Sequence, residues 1–210
     1  FRFSVMLEIH PDDILIKDLH QYMLSSIGPR PIALASTIDI NGNNNVSPFS
    51  FFNIFSAKPP IAIFSPARRI RNNSTKDTLE NIKQIKEVVI NVVNYDLAEK
   101  ASLSSGEYPP EVDEFIKAGL TTIPSKKIRP FRVTESPVQM ECKVNQIIEL
   151  GQNGGAGNLI ICEIILIHIN ENILDDNNQI DQNKIQLVGR LGKNWYCKGF
   201  DDGLFKINKP

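Results

Sequence analysis

The chain has 210 residues, of which 41% are hydrophobic and 22% charged, and its formal net charge is -1. A chain of that length buries a core without metal or disulfide staples, and its near-neutral charge carries neither the basic footprint of a nucleic-acid surface nor an acidic tail. Three cysteines, at 142, 162 and 197, form no Cys-x-x-Cys pair, so neither a disulfide framework nor a zinc site is expected, and a reducing cytoplasm fits.

The first residues, Phe1 to Glu8, are too short and too soon interrupted by charge for a signal peptide. A start at Phe1 rather than Met leads us to expect trimming, with non-native residues among the first few. Residues 1–26 read as a lead-in: Pro11-Asp12-Asp13 is a turn or helix start, followed by an amphipathic patch ending near Tyr22-Met23-Leu24. Gly28-Pro29-Arg30-Pro31 breaks it, and prolines favour extended backbone before them, so a strand is expected over Ile32–Thr37. That run is small and apolar on both faces, as suits a strand inside a barrel. Asn41-Gly42 signals a hairpin, because both residues tolerate positive φ.

Val46–Ser56 alternates loosely and is expected as one strand with four phenylalanines, at 49, 51, 52 and 55. Lys58-Pro59-Pro60 turns the chain into a further strand, Ile61–Ser65. From Lys76 onward Leu79, Ile82 and Ile85 recur at helical spacing, with Ser74-x-x-Asp77 and Asp77-x-x-Glu80 as possible capping boxes. Val88–Val93 is β-branched and strand-like, whereas Asp96–Leu103 and Glu111–Ala118 read as short helices. After an irregular stretch over Thr121–Pro137, three long β-type runs follow: Val138–Leu150, Asn158–Ile169 and Lys184–Leu191. The longest apolar stretch, Leu159–Ile169, carries Glu163 and His168 and is too short to span a bilayer, so no membrane association is expected. Strands joined by hairpin-like turns, with only a few short helices, point to a mainly β, antiparallel barrel in one domain over residues 1–210.

Three constellations could carry chemistry. Lys76-Asp77-Thr78 opens a helix, where free backbone N–H groups and the helix dipole favour an anion; plain capping with a solvated lysine is the simpler reading of that segment alone. Ser47 to Asn53 interleaves hydroxyls with phenylalanines, and could equally be an amphipathic strand with its rings in the core. Ser36-Thr37 ends the first strand with two hydroxyls. The three gain weight together, because strands 32–37, 46–56 and 61–65 can be neighbours. Gly154-Gly155-Ala156-Gly157 resembles a dinucleotide loop, but the strand-like run at Ile160 leaves no following helix, so a hairpin turn is expected. Arg190 could meet a phosphate, although a carboxylate partner is the simpler expectation, and His168 is an isolated imidazole at a strand end.

At this block the chain resembles the flavin reductase-like family, in its flavoredoxin-type branch of FMN-binding split barrels. The likeness is carried by Pro29-Arg30-Pro31-Ile32-Ala33, Ser36-Thr37, Asn45-x-Ser47-Pro48-Phe49-Ser50-Phe51-Phe52-Asn53, Pro59-Pro60, Phe64-Ser65 and Lys76-Asp77-Thr78-x-x-Asn81-Ile82. Gly189-Arg190-Leu191-Gly192 extends it towards the C-terminus. The resemblance implies a Greek-key-like split β-barrel that forms a homodimer with one FMN per subunit. It further implies flavin contacts at Ser36, Thr37, Ser50, Phe51, Phe52, Asn53 and Ser65, with Lys76, Asp77, Thr78 and Arg30 towards the phosphate and ribityl end. Where many relatives have an aromatic residue, this chain has Leu34. The implied function is NAD(P)H-dependent reduction of bound FMN, with electrons passed to free flavin or another small-molecule acceptor, and His168 is our candidate catalytic residue beside the nicotinamide. A flavin-holding electron carrier without a substrate pocket, or a pyridoxamine-phosphate-oxidase-like barrel with another ligand, are the alternative readings.

Overall fold

A computed structural model describes residues 6–106, 108–109 and 112–207. The strands of the main sheet are β1 (Ala33–Ile38), β2 (Asn44–Phe49), β3 (Phe52–Ala57), β4 (Pro60–Phe64), β5 (Glu87–Val92), β8 (Val138–Glu149) and β9 (Asn158–Ile169). Two short antiparallel pairs lie outside it: β6 (Thr122–Ile123) with β7 (Arg132–Val133), and β10 (Val188–Arg190) with β11 (Tyr196–Lys198). The helices are α1 (Ile16–Ser26), α2 (Asp77–Ile85), α3 (Ala98–Leu103), α4 (Glu114–Lys117) and α5 (Gln182–Ile185).

The seven-stranded sheet runs in the order β2-β1-β5-β8-β9-β4-β3, and every pairing in it is antiparallel. It curls on itself, with the Phe49 and Phe64 ring centres 5.3 Å apart, to give the expected mainly β split barrel. The interior is narrow, because small residues such as Ala33, Ala35, Ala62, Cys142 and Cys162 face it, and Leu79 and Ile82 of α2 pack into the same cluster. Burial drives the Cys142 thiol up to about 12 and the Cys162 thiol well above its usual value, so both are inert packing residues. On the other face of β1, Leu34 joins a second cluster with Val46, Leu97, Ala101, Phe115 and Val188. β1 is therefore buried along its whole length.

Two expected strands change. Val46–Ser56 is not one strand: β2 and β3 end on opposite edges of the sheet order. Phe49 and Phe52 both pack on the interior cluster, whereas strict alternation would send residues three apart to opposite faces, so the chain must break pairing at Ser50-Phe51. Lys184–Leu191 is also divided. The Asp181 carboxylate accepts the amide N–H groups of Asn183 and Lys184, which nucleates α5 and leaves β10 only three residues. Neither anticipated capping box forms at α2, since its N-cap is Lys76 and makes no side-chain cap. The Ser74 hydroxyl instead donates to Asn72 Oδ1 at 2.9 Å.

The glycine-rich segment is the expected β8–β9 turn. A Cβ on Gly154 would come within 2.9 Å of the Ile70 backbone, and Gly155 has φ +92, so this turn packs closely on the loop before α2. Among the described residues, no helix is long and apolar enough to cross a membrane, and no cluster of His, Cys, Asp and Glu could hold a metal.

Candidate functional site

Among the described residues, no strand pairs with the outer edge of β2. Three cavities adjoin here: the narrow and middle ones share Ser105, and the middle and wide ones share Ala98, Ser102 and Tyr196. A narrow end of about 90 Å³ is lined by Ser47, Arg69, Lys76, Asp77, Thr78 and Ser104, among others. The middle part, about 170 Å³, is lined by Ile32, Pro48, Ser50, Ala101 and Arg190 with the shared walls. The wide end, about 560 Å³, is lined by Tyr95, Asp96, Glu99, Cys197 and Lys198 as well as Tyr196.

The narrow end brings two cations, Lys76 and Arg69, together with the Asp77 and Glu114 carboxylates. Asp77 and Thr78 head α2, and their amides make no backbone hydrogen bond among the described residues, as expected of a first helical turn. The Lys76 ammonium lies 5.1 Å from the Phe49 ring centre. Arg69 is braced by Ser74 Oγ at 3.0 Å and by the Thr75 carbonyl, so the loop that delivers Lys76 is held from within. Thr78 behaves differently from a simple donor: its hydroxyl proton goes to Asn45 Oδ1 at 2.8 Å. Asn45 in turn donates to the Glu114 carboxylate at 3.0 Å. Burial raises the Glu114 pKa above the ordinary carboxylate value; hydrogen bonds from its own amide and from Asn45 oppose the rise, while Asp77 and Asp113 add to it.

The middle cavity has a different character. Ser50 Oγ accepts from Arg30 Nε at 3.3 Å, which leaves the hydroxyl proton to point elsewhere. Arg190 has no carboxylate partner among the described residues; its guanidinium carbon lies 4.5 Å from the Tyr196 ring centre. At the wide end, the Lys198 ammonium stands 4.5 Å from the Tyr95 ring centre and 5.3 Å from that of Phe200.

Of the residues singled out from the sequence, Ser50, Lys76, Asp77 and Thr78 line this groove. Arg190 and Ser47 line it as well, whereas the other proposed flavin contacts lie elsewhere. Ser36 and Thr37 are buried and, as neighbours on a strand, face opposite sides of it. Ser36 donates to the Phe131 carbonyl at 2.5 Å, and Thr37 bonds Asn45 and Asn81 at 3.3 and 3.2 Å, so both hydroxyls are committed to the fold. Arg30 is only 6% exposed, and its guanidinium holds the Leu24, Ile27 and Leu191 carbonyls as well as Ser50. It ties the end of α1 to the segment after β10 rather than reaching the α2 tip. Phe51 packs edge-on against His20, Phe52 packs on the interior cluster, and the Asn53 side chain accepts the Ile54 amide. Ser65 is buried with its amide on the Phe51 carbonyl, and its hydroxyl lies where a Cβ on Gly157 would come within 2.6 Å.

His168 lies on β9, well away from β2 in the sheet order. Pro48, Leu34, Asn91, Gln139 and His168 form one paired row, which puts His168 four strands from β2, a path of about 19 Å at the usual strand spacing. Its Nε2 is 2.7 Å from Glu141 Oε1, a fully buried carboxylate that also accepts the Lys126 and Lys127 amides at 2.7 Å each. His168 thus serves a buried structural knot and not the groove. Sequence reading missed Ser104, Ser105, Tyr196 and Glu114 as groove residues. The Ser104-Ser105-Gly106 run was the one local signal for the first two.

Comparison with known proteins adds the family context. A family described as "Flavin reductase like domain" matches residues 25–184. An uncharacterized protein of Aquifex aeolicus (strain VF5) is 37% identical over 189 residues, covering 90% of this chain and 94% of that protein. Nitrilotriacetate monooxygenase component B from Bacillus cereus has the same fold, with a TM-score of 0.88, 28% identity and coverage of 99% of this chain and 100% of that one. Flavoredoxin of Desulfovibrio vulgaris (Miyazaki F) shares the fold at a TM-score of 0.71 and 20% identity, covering 88% of this chain and 91% of that one.

Proposed function

Because the chain belongs to the flavin reductase-like domain family, we propose that this flavin-type oxidoreductase binds FMN in the groove along β2 and takes electrons from NAD(P)H for free flavin or another small-molecule acceptor. The observation that carries this reading is the continuity of the groove: an anion-type end at Lys76 joins, through Ser105 and Ser102, cavities walled by Pro48 and Tyr196. The donor set fits a phosphorylated planar ring. A lysine, an arginine, the first amides of α2 and hydroxyls gather at one end, with Asp77 and Glu114 beside them, and a slot of mixed polar and apolar lining with one guanidinium adjoins it.

The ring supplies the hydride chemistry when it is bound. Lys76, Arg69 and the amides of Asp77 and Thr78 bind the phosphate. Ser105 and Ser102 lie along the ribityl path. Ser50, accepting from Arg30, keeps its own proton to donate to the ring, while Pro48, Ala98 and Ala101 supply apolar wall to the middle cavity. The wide end leaves space for a second planar group, donor or acceptor in turn, between Tyr95 and Tyr196. That space favours an enzyme over a carrier with no pocket of its own.

We further propose a homodimer, supported by the apolar side chains that edge strand β3 and the outer face of β9 leave exposed: Ile54, Phe55, Ile165, Ile167 and Ile169. Steady-state oxidation of NADH and of NADPH by the FMN-reconstituted protein, with and without added free flavin, tests the activity. FMN-dependent oxidation of either nucleotide is expected. A protein that holds FMN yet oxidises neither under any condition is a carrier, and the reductase reading is then lost.

A further inference from the structure

We propose that Arg190 sets the reduction potential of the ring held in the middle cavity, an inference that rests on the FMN reading above. Arg190 lines that cavity, and Tyr196 fixes it there by the close approach of its ring. The acids of the groove line its two ends, Asp77 and Glu114 at the narrow one and Asp96 and Glu99 at the wide one. Among the described residues, none lines the middle.

A second guanidinium stands behind the first. Arg30 and Arg190 exchange both backbone hydrogen bonds, at 3.0 and 2.8 Å. Burial, and then the charge of Arg190, lower the pKa of Arg30. Arg30 itself is surrounded by carbonyl oxygens and Ser50, which solvate its charge without cancelling it. Two like charges beside a cavity with no carboxylate among the described residues of its wall make a standing positive potential.

Such a potential has little to act on in a neutral ring and much in a charged one. A nicotinamide donor gives up a hydride, two electrons with one proton, and becomes a cation; the ring that takes the hydride becomes an anion. Arg190 therefore favours the reduced form over the oxidised form, and the midpoint potential rises by the ratio of the two affinities.

The test compares wild type, Arg190→Gln and Arg190→Lys, each as the FMN-loaded protein. Spectroelectrochemical titration gives the midpoint potential, and fluorescence titration gives the Kd for oxidised FMN. Arg190→Gln is expected to weaken binding of reduced FMN at least tenfold more than that of oxidised FMN. For a two-electron couple that is a fall of about 30 mV. Arg190→Lys keeps the charge and is expected to stay nearer the wild-type potential than Arg190→Gln. An Arg190→Gln protein that binds FMN at the wild-type potential overturns the inference and leaves the FMN reading intact. A wild-type protein that takes up no FMN removes both.

Discussion

Lys76 stands at the N-cap of α2, beside the amides of Asp77 and Thr78 and within 5.1 Å of the Phe49 ring centre. Its replacement by alanine removes a charged hydrogen bond to a phosphate and should weaken FMN binding by about 1–3 kcal/mol. Fluorescence titration of FMN with the Lys76→Ala protein checks this, and an unchanged Kd would place the phosphate elsewhere. Glu141 shows the other use of charge. Burial alone would raise its pKa, but hydrogen bonds from the Lys126 amide, His168 and the Lys127 amide outweigh burial and lower it. A carboxylate held below its unfolded value stabilises the fold above that value, about 4.3. The contribution is lost as pH falls through the lower, folded value. Glu141→Gln should therefore cost about 1–3 kcal/mol by urea unfolding near neutral pH, and the gap to wild type should narrow in acid. A gap that stays constant or widens in acid would mean that the ionised carboxylate is not what holds the 126–127 segment. The same geometry places His168: its imidazole is engaged by Glu141, four strands from β2 in the sheet order.

At the scale of elements, the β8–β9 turn and the loop before α2 are packed as one unit. Gly154→Ala would drive a methyl group to within 2.9 Å of the Ile70 Cα and carbonyl oxygen, both backbone atoms that cannot swing away. We expect a loss of about 1–3 kcal/mol, read as a lowered melting temperature, with FMN affinity falling as well because the 68–76 loop delivers Arg69 and Lys76. A Gly154→Ala protein of unchanged stability would show that the two loops are not mechanically joined. Local signals served the sequence reading well wherever structure is local. The Asn41-Gly42 hairpin, the 79/82/85 spacing of α2 and the two-faced burial of β1 all have causes within a few residues. What was illegible depends on distant partners. The break at Ser50-Phe51 follows from two phenylalanines seeking one core, and the removal of Ser36, Thr37 and Arg30 from the groove follows from their bonds to Phe131, Asn81 and Leu191. Tyr196 and Ser105 reach the groove from segments far apart in the chain, with no spacing to mark them.

Taken whole, the molecule is a split barrel whose two edge strands, β2 and β3, serve different ends. The β2 edge is lined by the groove, whereas β3 presents Ile54 and Phe55 at 48% and 64% exposure, which suits contact with a second copy. Phe55→Asp should shift the protein from dimer to monomer in sedimentation equilibrium; a wild-type protein that sediments as a monomer would remove the proposed interface. The claim on which the account turns is that one continuous groove grips a phosphate at the α2 tip and a planar ring beside Tyr196. Parallel titrations with FMN and with riboflavin, which has the same ring and no phosphate, test it most directly by quenching of flavin fluorescence. FMN is expected to bind at least roughly tenfold more tightly than riboflavin, with the difference shrinking in the Lys76→Ala protein. Equal affinity for the two, or binding of neither, would contradict it.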